Sequence, residues 1–330
     1  MKRTIILSSI LATILFSGCK KTPTDDILPA DEISLTPNEK ASDATAKNEL
    51  DNVNDDIEKI YKSDDYSAAR TEGSKKVVLP CGKFSINGKN FTLTYNDTTC
   101  GSKVKSGSID VKLISGSKFA DENAVLEVTF NNYKVFYNAS KTSVTYNGKQ
   151  TVTNVSGGKF SDLITAKTII HRVRGELTLQ FDSATTNGNT RIWHIFRKKT
   201  FTSNGTPTGL AFTLDGDTTI GGKTIIEYGV NKNNHPFINE MTTAFHWENC
   251  GTTFEGPYTL KTGTVNHTAT NDLGAAGKYT GHFSIFAGYS FATGTMVYEG
   301  TCGSAGYKLS MEIKKDGVSM MAPTTWFQEY

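Results

Sequence analysis

From about residue 75 to the C-terminus, apolar and polar residues alternate with a period of two, the spacing that puts one dry and one wet face on a strand. Ile109, Val111 and Leu113 oppose Ser108, Asp110 and Lys112. Leu126, Val128 and Phe130 oppose Glu127 and Thr129, and Leu177, Leu179 and Phe181 oppose Glu176, Thr178 and Gln180. Near the end, Tyr307, Leu309, Met311 and Ile313 oppose Lys308, Ser310 and Glu312. Half-buried strands of this kind build antiparallel sheets. Asn87-Gly88, Asn147-Gly148 and Gly221-Gly222 predict two-residue hairpins, because such turns need positive φ. No βαβ alternation is visible, which argues against a parallel sheet. The pattern therefore predicts an all-β module over residues 76–330, with antiparallel sheets that are sandwich-like or form two tandem β units. Two repeats would divide at 76–205 and 206–330.

Upstream the pattern is different. Residues 25–65 carry a net charge of −9, and Pro23, Pro29 and Pro37 interrupt the chain. Such sequence buries too little apolar surface to fold alone, and self-repulsion keeps it extended. Residues 19–75 are thus expected to form an acidic linker, disordered or partly helical. The helical part is predicted around Leu50, Val53, Ile57, Ile60 and Tyr61, which recur at helical spacing.

The first nineteen residues read as an export signal. Met1-Lys2-Arg3 is basic, Thr4 to Phe16 is apolar and too short to span a bilayer, and Phe16-Ser17-Gly18-Cys19 is the junction. This arrangement resembles the lipobox of bacterial lipoproteins, although Phe16 stands where Leu is usual. The resemblance implies removal of residues 1–18 and acylation of the Cys19 thiol. Each buried acyl methylene contributes about 0.8 kcal/mol, so several chains on one cysteine make a lasting tether. Lys20-Lys21-Thr22-Pro23-Thr24-Asp25-Asp26 is similar in part to the surface-export signals of Bacteroidota lipoproteins, with its acids displaced from the usual spacing. The expected address is the outer membrane, lipid-anchored, periplasmic or surface-exposed.

The other four cysteines, Cys81, Cys100, Cys250 and Cys302, are an even number in an oxidising compartment and predict two disulfides. Three pairings exist; Cys81–Cys100 with Cys250–Cys302 closes the shorter loops and would contribute about 3 and about 4 kcal/mol by the chain-entropy account. Zinc ligation is disfavoured, since C-x-x-C spacing and nearby histidines are lacking. A faint echo links Tyr95–Ser102 with Tyr298–Ser304, consistent with a duplicated β unit.

Motifs with catalytic associations fail on context. Gly216 to Thr224 resembles a phosphate loop with one residue too many, and Ile225-Ile226-Glu227-Tyr228 reads as strand rather than helix. Ser115-Gly116-Ser117-Lys118 and Ser156-Gly157-Gly158-Lys159 match Ser-x-x-Lys but lie in glycine-rich turns. Asp215 and Asp217 lack the remainder of a calcium loop. Asp97-Thr98-Thr99, Asp182-Ser183-Ala184 and Asp217-Thr218-Thr219 resemble the O-glycosylation acceptor of Bacteroidota exported proteins. The six histidines are scattered; His194 beside Trp193 and His246 beside Trp247 are the notable neighbours, with one member of each pair expected to face the core. An exposed Trp193 or Trp247 would suit stacking on a sugar. Residues 66–330 hold 27 basic and 20 acidic side chains, unclustered, which argues against nucleic acid as a partner.

The run from Ser106 to Val135, followed by Gly148-Lys149-Gln150-Thr151-Val152-Thr153-Asn154, is similar to uncharacterised Bacteroidota cell-envelope lipoproteins. The resemblance implies an exported all-β protein and carries over no catalytic residue. The expectation is a lipid-anchored envelope protein with a binding or structural role, contacting a glycan or an envelope protein, without cofactor or metal. The alternative is an enzyme acting on polysaccharide or other envelope material.

Overall fold

The computed structural model describes residues 49–50, 52–54, 57, 60, 81–139, 141–183, 186–230, 236–253, 256–270, 291–302, 306–315 and 318–329. Cys19, the export signal and the first part of the acidic linker lie outside the described residues. Among those described, fifteen strands and two short 3-10 helices (Phe160–Thr165 and Pro207–Gly209) follow helical residues at 49–50, 52–54, 57 and 60, together named α1. The strands are β1 (Lys83–Asn87), β2 (Asn90–Cys100), β3 (Lys103–Ser115), β4 (Ala124–Tyr137), β5 (Thr142–Asn154), β6 (Ile169–Ser183) and β7 (Thr186–Thr202). They continue as β8 (Ala211–Gly216), β9 (Thr218–Ile220), β10 (Lys223–Val230), β11 (Pro236–Thr253) and β12 (Gly256–Thr270). The last three are β13 (Phe291–Gly300), β14 (Gly306–Lys315) and β15 (Val318–Glu329).

All fifteen belong to one antiparallel sheet, so the chain is all-β as its alternation requires. The order follows the chain except between β7 and β11. There two short strands share one lane. β10 pairs Ile192–Ile195 of β7 with the start of β11, and β8 pairs Arg197–Thr202 with Phe245–Glu248. β9 folds back on β10 through the Gly221-Gly222 hairpin. Hydrogen bonding thus runs unbroken across the 205/206 division at which two repeats were expected to part.

Register slips recur along a line that crosses β2 to β5. The β2–β3 register slips between Tyr95 and Thr98, the β3–β4 register between Ser106 and Ser108, and the β4–β5 register between Phe130 and Tyr133. Asp97 and Asn132 adopt positive φ at two of these slips. Gly107, at φ +86°, lies against the Asn132 carbonyl, where a Cβ would fall 2.1 Å from the oxygen. Asn147-Gly148, expected as a hairpin, is instead inside β5, with Gly148 at φ +117° against the β6 backbone. The same conformational freedom that suits glycine to a turn suits it to a bulge, and the pattern alone does not separate the two. Bulges bend the strand that carries them and sharpen its twist. A row of them curls the sheet.

Helix α1 occupies the resulting hollow. Leu50, Val53, Ile57 and Ile60 are buried in one cluster with Phe91, Leu93, Ile109, Val128, Tyr133, Tyr146, Leu177, Trp193 and Phe237. These come from β2 to β7 and from β11, strands that would span about 30 Å if laid flat at 4.8 Å each. A curl of the sheet accounts for side chains from strands so far apart joining one buried cluster with the helix. Leu50, Val53, Ile57 and Ile60 of the predicted stripe are therefore the core-facing side of α1, each contributing about 1.5–3 kcal/mol by burial, and Tyr61 lies outside the described residues. The packed core takes in residues well before 76, where the folded module was expected to begin. Asn54 strengthens the docking by accepting a hydrogen bond from Gln150 Nε2.

Candidate functional site

Trp193 is fully buried, not an exposed platform, and this corrects its expected role in sugar stacking. Along β7 the inward positions are Arg191, Trp193, Ile195, Arg197 and Lys199, all buried. The indole lies between two guanidinium groups, with Arg191 Cζ 5.1 Å and Arg197 Cζ 5.4 Å from the ring. Its Nε1–H donates to Glu227 Oε2 at 2.9 Å, and Arg197 Nη2 pairs with the same oxygen at 3.3 Å. The other carboxylate oxygen of Glu227 accepts from Asn239 Nδ2. Because that amide nitrogen donates, Asn239 Oδ1 must accept, and its partner at 2.6 Å, His267 Nδ1, carries the proton.

This polar chain follows from strand register. Glu227 sits opposite Ile195, Asn239 opposite Glu227, and His267 opposite Asn239. Directly opposed residues share a face, so the row runs straight across β7, β10, β11 and β12. A buried carboxylate is tolerated when it is paired and hydrogen-bonded. With both oxygens engaged, Glu227 is fitted to hold strands together rather than to take a proton from a substrate.

A second buried carboxylate, Glu49, stands at the described start of α1. Lys105 Nζ is 2.6 Å from its Oε1 and Lys103 Nζ 2.8 Å from its Oε2. Tyr133 OH donates to Oε1 at 2.6 Å. Burial alone would raise the Glu49 carboxyl; the Lys105 charge and hydrogen bonds from both lysines and Tyr133 outweigh it and hold the group below its ordinary value. Burial first, and then the Glu49 charge, push Tyr133 well above the usual phenol range.

Trp247 is only half-buried. Its ring lies nearly parallel to Phe212 at 4.5 Å and 5.6 Å from Phe245, and Tyr258 meets Phe212 edge-on at 5.8 Å. All four of these aromatic residues are half-buried. Register places Phe201, Phe212, Trp247 and Leu260 opposite one another across β7, β8, β11 and β12. The aromatic row therefore lies on the same face as Trp193 and Glu227, nearer the other end of the strands. The stacked pair was not legible from sequence, because Phe212 and Trp247 are brought together by β8 entering the shared lane.

His194, next to Trp193, faces the opposite side as alternation requires. It stacks on Tyr228 at 4.7 Å, and Tyr228 on Phe196 at 5.4 Å. Burial pushes the His194 imidazole below its ordinary value against the pull of Glu176, 3.5 Å away. Near Trp247, two register slips flank His246, and both residues end half-buried. Asp217 is held by Arg172 and Arg174 at 2.8 and 2.6 Å, which makes it an anchor of the β8–β9 turn rather than a calcium ligand. Cys81 is bonded to Cys100 and Cys250 to Cys302, with Cα separations of 5.7 and 5.4 Å. The second bridge ties Cys250, near the end of β11, to Cys302, just after β13. Among the described residues, no group of three or more His, Cys, Asp and Glu could hold a metal ion, and no helix is long and apolar enough to cross a membrane.

The sequence pattern assigned no role to Glu227, Asn239, His267 or Glu49. A signal existed for Glu227: an acid inside the otherwise apolar run Ile225-Ile226-Glu227-Tyr228. No protein-family model matches the chain, and no curated protein or solved structure matches it with significance.

Proposed function

We propose that the protein is a lipid-anchored cell-envelope protein with a binding or structural role, held at the outer membrane through Cys19. The observation that carries this reading is the disposition of the five cysteines. Four are joined in two intramolecular disulfides, a chemistry that persists in oxidising compartments. The fifth is Cys19, placed after Ser17-Gly18 at the end of an export signal, where an acylated thiol belongs. An oxidised, disulfide-tied sheet behind a charged linker suits a module working outside the cytoplasm. Its contact with a glycan or envelope protein is assigned to the half-buried row of Phe212, Phe245, Trp247 and Tyr258, since flat apolar rings with polar edges suit such partners.

The test is metabolic labelling of cells with an alkyne fatty acid, followed by mass spectrometry of the mature N-terminus. Wild-type protein is expected to carry acyl chains on residue 19 with residues 1–18 removed, and Cys19→Ala to carry none. A mature chain with an unmodified Cys19 thiol would refute the anchor.

A further inference from the structure

We propose that the Cys250–Cys302 bridge is a thiol–disulfide exchange site, in which the exposed Cys302 sulfur takes the attack of a partner dithiol and Lys261 stabilises the thiolate that Cys302 becomes. The site depends neither on acylation at Cys19 nor on the aromatic row.

Three observations carry it. The first is access. Cys302 is exposed just beyond the end of β13, and Cys250 is half-buried. Cys81 and Cys100 are both half-buried and pack against the main apolar cluster. Exchange begins when a thiolate reaches one sulfur, so access decides which bridge opens and at which atom.

The second is charge. Lys261 Nζ lies 3.2 Å from Cys302 Sγ. An ammonium at that distance favours thiolate over thiol, and the thiolate is the form that both leaves and attacks. Cys250 Sγ has no such neighbour; its contact is the Glu248 carbonyl oxygen at 3.8 Å. The first bridge resembles Cys250 in this respect. Cys81 Sγ is 3.8 Å from the Thr99 carbonyl oxygen and Cys100 Sγ 3.4 Å from that of Thr98, and partial negative charge opposes a thiolate. Glu248 Oε2 is 3.6 Å from Lys261 Nζ and tempers the ammonium, and His246 Nε2 is 3.4 Å from Glu248 Oε1. Lys261 is the more buried of the pair, 20% exposed against 47%, so its field at the nearby sulfur is the less screened.

The third is position. Cys250 falls in the register slip between Asn249 and Thr253, and Cys302 follows the last residue of β13. β11 pairs with β12 and β12 with β13 through residues other than these two. Opening the bridge therefore breaks no ladder pair, and the folded sheet can hold either redox form.

The exchange balances as follows. One thiolate of the partner attacks Cys302 Sγ, the S–S bond breaks, and Cys250 leaves as a thiolate that takes a proton. The partner's second thiol gives up its proton and attacks the partner sulfur of the mixed disulfide. Cys302 then leaves as a thiolate beside Lys261. Two electrons pass from the partner, which becomes a disulfide, to the Cys250–Cys302 pair, which becomes a dithiol. In reverse, the Cys302 thiolate is the nucleophile toward a partner's disulfide.

The test uses the full mature chain in detergent micelles near neutral pH, with dithiothreitol as the dithiol. Samples are alkylated at intervals and mapped by mass spectrometry. Cys250–Cys302 should be reduced about tenfold faster than Cys81–Cys100, or more. With glutathione, a monothiol, the mixed disulfide should be trapped on Cys302 rather than Cys250. In the fully reduced chain, iodoacetamide should modify Cys302 before Cys250. Lys261→Gln should slow reduction of Cys250–Cys302 about threefold or more and erase the preference of iodoacetamide for Cys302, while Lys261→Arg should keep both. The Cys81–Cys100 rate is the internal control and should not change in either variant. If K261Q instead speeds both bridges by loosening the fold, the wild-type rates and the site of the glutathione adduct decide. Reduction of the two bridges in step in wild type, or an adduct on Cys250, would overturn the proposal. So would an unchanged Cys250–Cys302 rate in a folded K261Q chain.

Discussion

Over β2 to β6 the inner face of the sheet carries Leu93, Ile109, Val128 and Leu177, and α1 closes it. Over β7, β10, β11 and β12 the same face carries Arg197, Glu227, Asn239 and His267, joined in a buried chain of hydrogen bonds. Both stretches are as dry as a protein interior. They differ in what makes dryness tolerable. In the first, aliphatic surface meets aliphatic surface, and a loss is graded with the volume removed. In the second, each polar group depends on its neighbour, so removal of one partner leaves another buried and unsatisfied. Trp193 joins the two, with its ring in the apolar cluster and its Nε1–H on Glu227.

The largest effect is expected at that junction. Glu227→Ala removes the acceptor of Trp193, Arg197 and Asn239 together and leaves the Arg197 guanidinium without its described carboxylate. Breaking a buried pair from one side costs about 3–5 kcal/mol. Leu126→Ala, in the apolar half, should cost about 2–5 kcal/mol. Urea unfolding of the two variants compares the halves directly. If Glu227→Ala costs less than about 1 kcal/mol, the polar row is not what holds β7, β10, β11 and β12 in register.

This contrast also marks what was legible in the sequence. Alternation located the strands around Ile109, Val128 and Leu177, and the 3.6-residue stripe located α1, because each depends on the period of one local segment. The pairing of Glu227 with Asn239 and His267 depends on register among three strands with slips in between, and no single segment contains that register. Trp193 and Trp247 look alike in sequence, each beside a histidine in a strand. What separates them is which strand lies alongside: β10, with Gly229 opposite the indole, packs against Trp193, and β8, with Phe212, stacks on Trp247. The same ambiguity explains Asn147-Gly148, whose local chemistry fits a hairpin or a bulge and whose outcome was set by β6 alongside.

A smaller effect separates bend from turn. At Gly107 a side chain would meet the Asn132 carbonyl at φ +86°, and relief requires moving the backbone of β4. At Gly222, φ +77°, nothing lies within 4 Å of an added Cβ. Gly222→Ala should therefore cost only the left-handed penalty of about 1–2 kcal/mol. Gly107→Val should cost more than about 2 kcal/mol by thermal unfolding, since a clash with backbone is added to that penalty. Equal losses at the two sites would show that the bend line tolerates straightening, and that the curl around α1 has another cause.

The effect on stability expected at Trp247 is no larger than that at Gly222, and its value lies in being small. A fully buried tryptophan such as Trp193 should cost about 3–5 kcal/mol on truncation to alanine. Trp247 is half-buried and leans on Phe212 and Phe245, so Trp247→Ala should cost only about 1–2 kcal/mol by urea unfolding, in proportion to the area it removes from water. A fold that survives the change can be assayed for ligand contact without confusion. On a glycan array, and in pull-downs from detergent-extracted envelopes, Trp247→Ala should lose retention that wild type shows, whereas Ile192→Ala on the opposite, exposed face should keep it. Retention unchanged by Trp247→Ala would show that the aromatic row only packs the edge of the β7, β8, β11 and β12 face. The comparison between the two halves would then reduce to one of packing alone.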